Sequence, residues 1–178
     1  MTLNRKVLWL LPLTLLTVFF AGFLLPEKVV IPVTGATESD WNKDTFWYEP
    51  WGSSGVHKGI DIFANKDTDL VSTTAGLVVF EGDLSKGGNV IVVLGPKWRL
   101  HYYAHLESIV VDRFEIVATN QKIGTVGDSG NAKGKPPHLH YSIVTLAPYF
   151  WEITTENQGW KKMFFLDPGE FIISGSEM

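Results

Sequence analysis

The sequence predicts an all-β fold, an antiparallel β-sheet of barrel or sandwich type, set behind one amino-terminal helix. Three observations carry that expectation. From Asp69 to Val144, short runs rich in Val, Ile, Tyr and Thr recur, and glycine-containing turns separate them; this is how strands at hairpin spacing read. After residue 25 no helical pattern of four turns and no internal repeat is visible. The 178 residues are 45% hydrophobic and 13% aromatic, enough to pack one ordinary domain.

Residues 7–25 carry no charged side chain, and Arg5 and Lys6 stand directly before them. As a helix that run is about 28 Å long, close to the ~30 Å hydrocarbon core of a bilayer. The leading basic pair keeps the amino terminus in the cytoplasm. A single-pass transmembrane anchor is therefore expected over residues 1–25, with everything after it outside the cytoplasm. A cleaved signal sequence is the competing reading. A cut after Ala21 would leave Phe19 three positions before it, and the better-spaced pair Thr34 and Ala36 lies far from the apolar run. Residues 26–45 are polar and carry Pro, Gly, Ser and Thr, so they read as a linker with little structure of its own. Residues 46–178 are left as the domain.

Within it, Phe46, Trp47, Tyr48 and Trp51 form an aromatic cluster, read as a core wall or the rim of a groove. The flexible turn 52–55 leads to His57-Lys58-Gly59-Ile60-Asp61-Ile62. Strands are then expected at 70–74, 77–81, 89–94, 98–106, 109–112 and 121–127, with glycine turns at 85–88 and 95–96. The loop 128–132 brings the chain through Pro136 and Pro137, which restrict the backbone, into a strand that starts at His138. The tail holds Tyr149, Phe150, Trp151 and Trp160 and is expected to cover an open end of the sheet. A membrane-surface contact is its second reading.

The chemistry comes from composition and from the histidines. Net charge is −4 with no basic run, which argues against nucleic acid as a partner. Cysteine is absent, so any metal is held by nitrogen and oxygen. His138 and His140 stand at i and i+2 of a strand and point to one face. His57 and Asp61 are four apart, but Gly59, Ile60 and Ile62 disfavour a helix. An extended chain would hold them about 13 Å apart. A bend near Gly59, where glycine permits positive φ, is expected to bring them together. His101 and His105 have the same strand parity; His105, at the strand end, is taken as functional and His101 as an exposed strand residue. Alone, each island has a plain reading: a surface turn, a cap, a polar strand face. Together His57, Asp61 and His140 make a set of two imidazoles and one carboxylate that leaves a fourth tetrahedral position for water, the donor set of a catalytic zinc ion. His105 and His138 would stand beside it as proton-handling groups. No H-E-x-x-H motif is present, which excludes the helix-borne zinc site with a glutamate base.

The motifs H-K-G-I-D-I at His57, Y-A-H-L at Tyr103 and G-K-P-P-H-L-H-Y ending at Tyr141 resemble the lysostaphin/LytM-type zinc endopeptidases that cut bacterial cell-wall peptidoglycan. The likeness runs from about Phe46 to Val144 and is weaker at Phe165-Leu166-Asp167-Pro168. The resemblance implies an antiparallel sheet with a narrow groove, the duplicated hybrid motif. It also implies one Zn2+ on His57, Asp61 and His140, with His105 and His138 as the catalytic histidines. The reaction implied is hydrolysis of a peptide bond in the stem or cross-bridge of peptidoglycan, in a groove walled by residues 47–55, 84–88 and 127–137. Tyr141 stands where the family usually has Phe. The alternative is a non-catalytic relative that activates another wall hydrolase; such relatives typically lose ligands, and none is missing here.

Overall fold

The computed structural model describes the backbone of residues 5–176 and the side chains of residues 10–175. A first helix, α1 (Arg5–Leu24), precedes nine strands: β1 (Ile60–Phe63), β2 (Asp69–Val71), β3 (Gly76–Leu84), β4 (Gly88–Leu94), β5 (Arg99–Ile109), β6 (Ile116–Val117), β7 (Lys122–Val126), β8 (His138–Thr145) and β9 (Phe165–Leu166). A second helix, α2 (Pro168–Ser176), follows. The strands form one antiparallel sheet in the order β1-β8-β5-β4-β3-β6; β7 joins β5 to β2, and β9 lies along β8.

The antiparallel all-β expectation holds, but barrel closure does not. The path ends on β1, four residues long, and β6, two residues long, and neither offers enough ladder bonds to close on the other. The separate strand expected at 109–112 is also absent. Instead β5 runs on to Ile109 and changes partner, pairing with β4 and β8 first and then with β7 through Leu106, Ser108 and Ile109.

Alternation along the central strands separates two faces. Leu139, Tyr141 and Ile143 of β8 lie opposite Ile62, Ile60 and His101 respectively in the ladders with β1 and β5, and the apolar members are 0–1% exposed. Burying each such side chain stabilises the fold by about 1.5–3 kcal/mol. His138, His140 and Ser142 therefore face the other way. His101 belongs to the core and not to the surface expected for it: it is fully buried, with Nδ1 2.6 Å from the Tyr141 hydroxyl. The phenol that departs from the usual Phe thus gives a buried imidazole its partner.

The amino-terminal segment differs from expectation in two ways. Among the described residues no helix is long and apolar enough to cross a membrane, so the expected transmembrane anchor is not found. The side chains before Leu10 lie outside the described residues, and Leu10 to Leu24 would span only about 22 Å as a helix. The end of α1 rests on the turn before β5, where Trp98 Nε1 donates to the Phe19 carbonyl at 2.8 Å. The stretch 26–45, read as a linker, buries Val29, Val33 and Trp41 and bonds along β2, with Val71 N donating to the Pro32 carbonyl and Thr34 N to that of Asp69. In the tail, β9 adds to β8 and α2 buries Ile172, while Phe150, Trp151 and Trp160 stay exposed.

His101 makes stability depend on pH. Burial, aided by the nearby positive charge of Arg99, lowers its pKa to about 3, against about 6.5 in an unfolded chain. Below pH 6.5 the unfolded chain binds a proton that the folded chain refuses, so stability falls as the pH drops toward 3. On lowering the pH from 7 to 5 the wild type is expected to lose about 2 kcal/mol more stability, read from thermal unfolding, than the His101→Gln variant, which keeps a polar partner for Tyr141 but does not titrate. Parallel pH profiles for the two proteins would refute this role.

Candidate metal centre

β8 lies between β1 and β5, and the register sets His140 opposite Asp61 on one side and Ala104 on the other. Directly opposed residues of an antiparallel pair have Cβ atoms about 4.5–5.5 Å apart, so Asp61 reaches His140 without any unusual backbone. The Asp61 Oδ1 to His140 Nδ1 distance is 2.8 Å. His57 arrives from the bend before β1, with Nε2 3.1 Å from Asp61 Oδ1 and 3.1 Å from His140 Nδ1. The three sequence-predicted ligand residues thus bring one atom each within 4.8 Å of one another.

Gly59 makes this possible by a different route from the one expected. It is not among the residues at positive φ. A Cβ there would lie 2.4 Å from the Tyr141 carbonyl oxygen and 3.1 Å from His140 Cε1. Glycine is required because the chain passes against β8 with no room for a side chain.

The donor set is polarised inward. His57 is buried, stacked on Trp51 at 4.0 Å, and its Nδ1 donates to the Thr45 carbonyl at 3.0 Å, which leaves the Nε2 lone pair facing Asp61 and His140. His140 Nε2 is 3.1 Å from Ser142 Oγ, which leaves Nδ1 for the cluster. Burial opposes ionisation of Asp61, but the hydrogen bonds and charges of His140 and His57 outweigh it and hold the carboxyl well below its ordinary pKa. Burial lowers the pKa of His140 as well, against the pull of Asp61, which favours the neutral imidazole that a metal ligand must be. Two imidazole nitrogens, one carboxylate oxygen and second partners that fix both rings match a zinc site of the open, three-ligand kind.

His105 and His138 stand beside this cluster, their ring centroids 5.1 Å apart and that of His105 6.0 Å from His140. His138 shares the face of His140, as the i, i+2 spacing requires. His105 does not follow its parity. Strict alternation would set it with His101 and Tyr103 in the core. Between the pairs Asn89↔Leu106 and Ile91↔Tyr103 the β4–β5 register shifts, so Ala104 and His105 together oppose Val90. This bulge, with His105 at φ 67°, turns its ring into the cleft. The Gly87 carbonyl accepts the His105 amide at 2.8 Å, and Ser129 bridges Asn89 N and the Leu106 carbonyl through its hydroxyl. Both rings have Nδ1 against a carbonyl, that of Ser129 at 3.0 Å for His105 and that of Pro136 at 2.8 Å for His138. Each keeps Nε2 as its second nitrogen. Burial first, then the neighbouring His140 and His138, lowers the His105 pKa to about 4, so its ring is neutral at neutral pH.

The five residues line a cleft of about 660 Å³ walled by residues 50–54, by Lys86 and Gly87, and by residues 131–136. Sequence reading missed the groups that hold the rings: the carbonyls of Thr45 and Pro136, and Ser129. A backbone carbonyl carries no side-chain signal, and Ser129 lay in a loop with nothing to mark it.

The pattern of peptidase family M23 matches residues 55–149. The murein hydrolase activator NlpD of Salmonella dublin is 31% identical over 139 residues, covering 69% of this chain and 36% of that protein. The L-Ala--D-Glu endopeptidase of Bacillus subtilis (strain 168) is 35% identical over 114 residues, covering 59% of this chain and 35% of the relative. The chain thus spans about a third of the length of these curated relatives. Among solved structures, the catalytic domain of the antimicrobial peptidase lysostaphin from Staphylococcus simulans aligns with a TM-score of 0.56 at 26% identity, over 70% of this chain and 85% of that one. The matched segment covers over half of the chain and holds every residue of the cluster and both histidines beside it: the chain belongs to peptidase family M23.

Proposed function

We propose that this chain is a zinc-dependent endopeptidase that hydrolyses peptide bonds in the stem or cross-bridge peptides of peptidoglycan. One observation carries the reading: His57, Asp61 and His140 converge at the floor of an open cleft with His105 and His138 beside them. When bound, a zinc ion supplies a Lewis acid that polarises a carbonyl and lowers the pKa of water.

The chain's own residues supply the rest. Asp61, held as a carboxylate, offsets one of the two metal charges and leaves the centre electrophilic. His105, neutral at neutral pH, can accept a proton at Nε2, since Nδ1 is occupied by the Ser129 carbonyl. His138, oriented in the same way by the Pro136 carbonyl, can hold a developing oxyanion once protonated or return the proton to the leaving amine. Because rigid backbone acceptors hold both rings, little reorganisation is needed during reaction. The open cleft admits an extended peptide. On this reading the domain works outside the cytoplasm, where its substrate lies.

A second reading has its own support. The relative from Salmonella is named as an activator of murein hydrolases, and a chain of that kind would bind wall or hydrolase without cutting. The complete donor set favours hydrolysis.

Purified full chain is expected to hold one zinc per molecule, and chelation is expected to remove metal and wall hydrolysis together. His140→Ala should lose the bound zinc and abolish dye release from labelled sacculi; full activity in that variant sinks the proposal. His138→Ala should keep stoichiometric zinc while kcat falls about 10²–10⁴-fold. Stoichiometric zinc with no turnover in the wild type would favour the activator reading.

A further inference from the structure

The cleft carries the opposite charge to the chain around it. The sequence has 19 acidic and 15 basic side chains, yet Lys58, Lys86 and Lys135 line the cleft and Asp61 is its single acidic lining residue. Ion pairs among the described residues engage Lys43, Lys66, Lys97, Arg99, Lys122 and Lys162 and leave the three cleft lysines without a carboxylate.

Two of them reach the same turn, at the adjacent residues Ser53 and Ser54. Lys58 Nζ donates to the Ser54 carbonyl at 3.3 Å and Lys86 Nζ to Ser53 Oγ at 2.9 Å. Lys58 follows His57 on the wall that carries this turn, whereas Lys86 reaches it from the β3–β4 hairpin. The hairpin tip is fixed: Asn131 N donates to the Lys86 carbonyl at 3.0 Å and His105 N to that of Gly87 at 2.8 Å. Gly88, at φ 63°, packs so tightly that a Cβ would sit 2.3 Å from Ser129 Oγ. Only the Lys86 side chain is left to move, between a neutral hydroxyl and whatever enters the cleft. A carboxylate is the stronger partner, because it adds the attraction of opposite charges to the hydrogen bond that a neutral hydroxyl also accepts. Like charges along a cleft also raise the local concentration of anions.

We propose that Lys58 and Lys86, with Lys135 on the 131–136 wall, form a subsite for a carboxylate carried by the substrate. The peptide taken is then an anionic stem peptide and not an uncharged oligoglycine bridge. This rests on the reading of the cleft as a peptidoglycan site, but it is tested by binding and not by turnover.

The probes are an acetylated D-Glu-containing stem tetrapeptide with free carboxylates and the same peptide with its carboxylates amidated, both rhodamine-labelled. Fluorescence anisotropy is read on the full, zinc-loaded chain in the His138→Ala background, so that peptides bind without being cut. The free-acid peptide is expected to bind about tenfold more tightly at 50 mM salt, with the ratio falling at least threefold at 300 mM. Lys86→Gln and Lys58→Gln should each reduce the ratio about three- to tenfold, and Lys86→Arg should hold it within twofold. Equal affinities, no measurable binding of the free-acid peptide, or a ratio indifferent to the Gln variants overturns the subsite. A charge preference without wall hydrolysis by the wild type leaves the subsite standing and refutes the endopeptidase. Hydrolysis without the preference does the reverse.

Discussion

The antiparallel pairing of β8 between β1 and β5 is the constraint on which the molecule depends. It sets Asp61 across from His140, and the side-chain period of two sends Leu139, Tyr141 and Ile143 to the back while His138 and His140 go to the front. A slip of one residue would exchange the two sets, bringing imidazoles into the core and apolar side chains into the cleft. The burial of Ile60, Ile62, Tyr103 and Tyr141 behind the sheet resists that slip. Apolar packing on one face therefore holds the donor geometry of the other. Register places Asp61 and His140, while the Thr45 carbonyl and the Ser142 hydroxyl orient the rings of His57 and His140.

Where the site needs something a regular sheet cannot supply, the backbone departs from regularity and is held there. The bulge at His105 puts a non-glycine residue in the left-handed region, at a cost of about 1–2 kcal/mol. The Gly87 carbonyl and the two bonds of Ser129 offset that cost. The result divides two histidines of one strand. His101 sits in the core, kept neutral by burial and paired with Tyr141; His105, four positions on, is turned into the cleft. His57, His105 and His138 each have Nδ1 on a backbone carbonyl, so main chain sets ring orientation at three separate points.

Much of the fold is legible in the order of residues alone. Runs rich in β-branched or aromatic residues, most of them bounded by glycine or proline, mark β3, β4, β5, β7 and β8, since half-buried strands favour that composition. The residues that converge on the candidate metal centre can be named from the chain because imidazoles and a carboxylate in three polar islands share a chemical logic independent of fold. Other features are not legible there. β9 and α2 form from a tail whose aromatics point only to packing, and residues 30–34 run along β2 through main-chain bonds that carry no side-chain signal. The open edges of the sheet depend on how short β1 and β6 are, which no local pattern reveals.

The sequence by itself determined which side chains would gather at one site, and on which strands, because residue type and spacing are local properties. The strand-end position singled out His105 over His101, although parity makes the two equivalent and left His101 on the surface. Tertiary structure decided how they part: the register shift against β4, held by Ser129 from a distant loop, turns His105 into the cleft and leaves His101 in the core. It also decided that Gly59 serves close approach and not a left-handed turn, because the atoms that crowd it belong to β8, far along the chain.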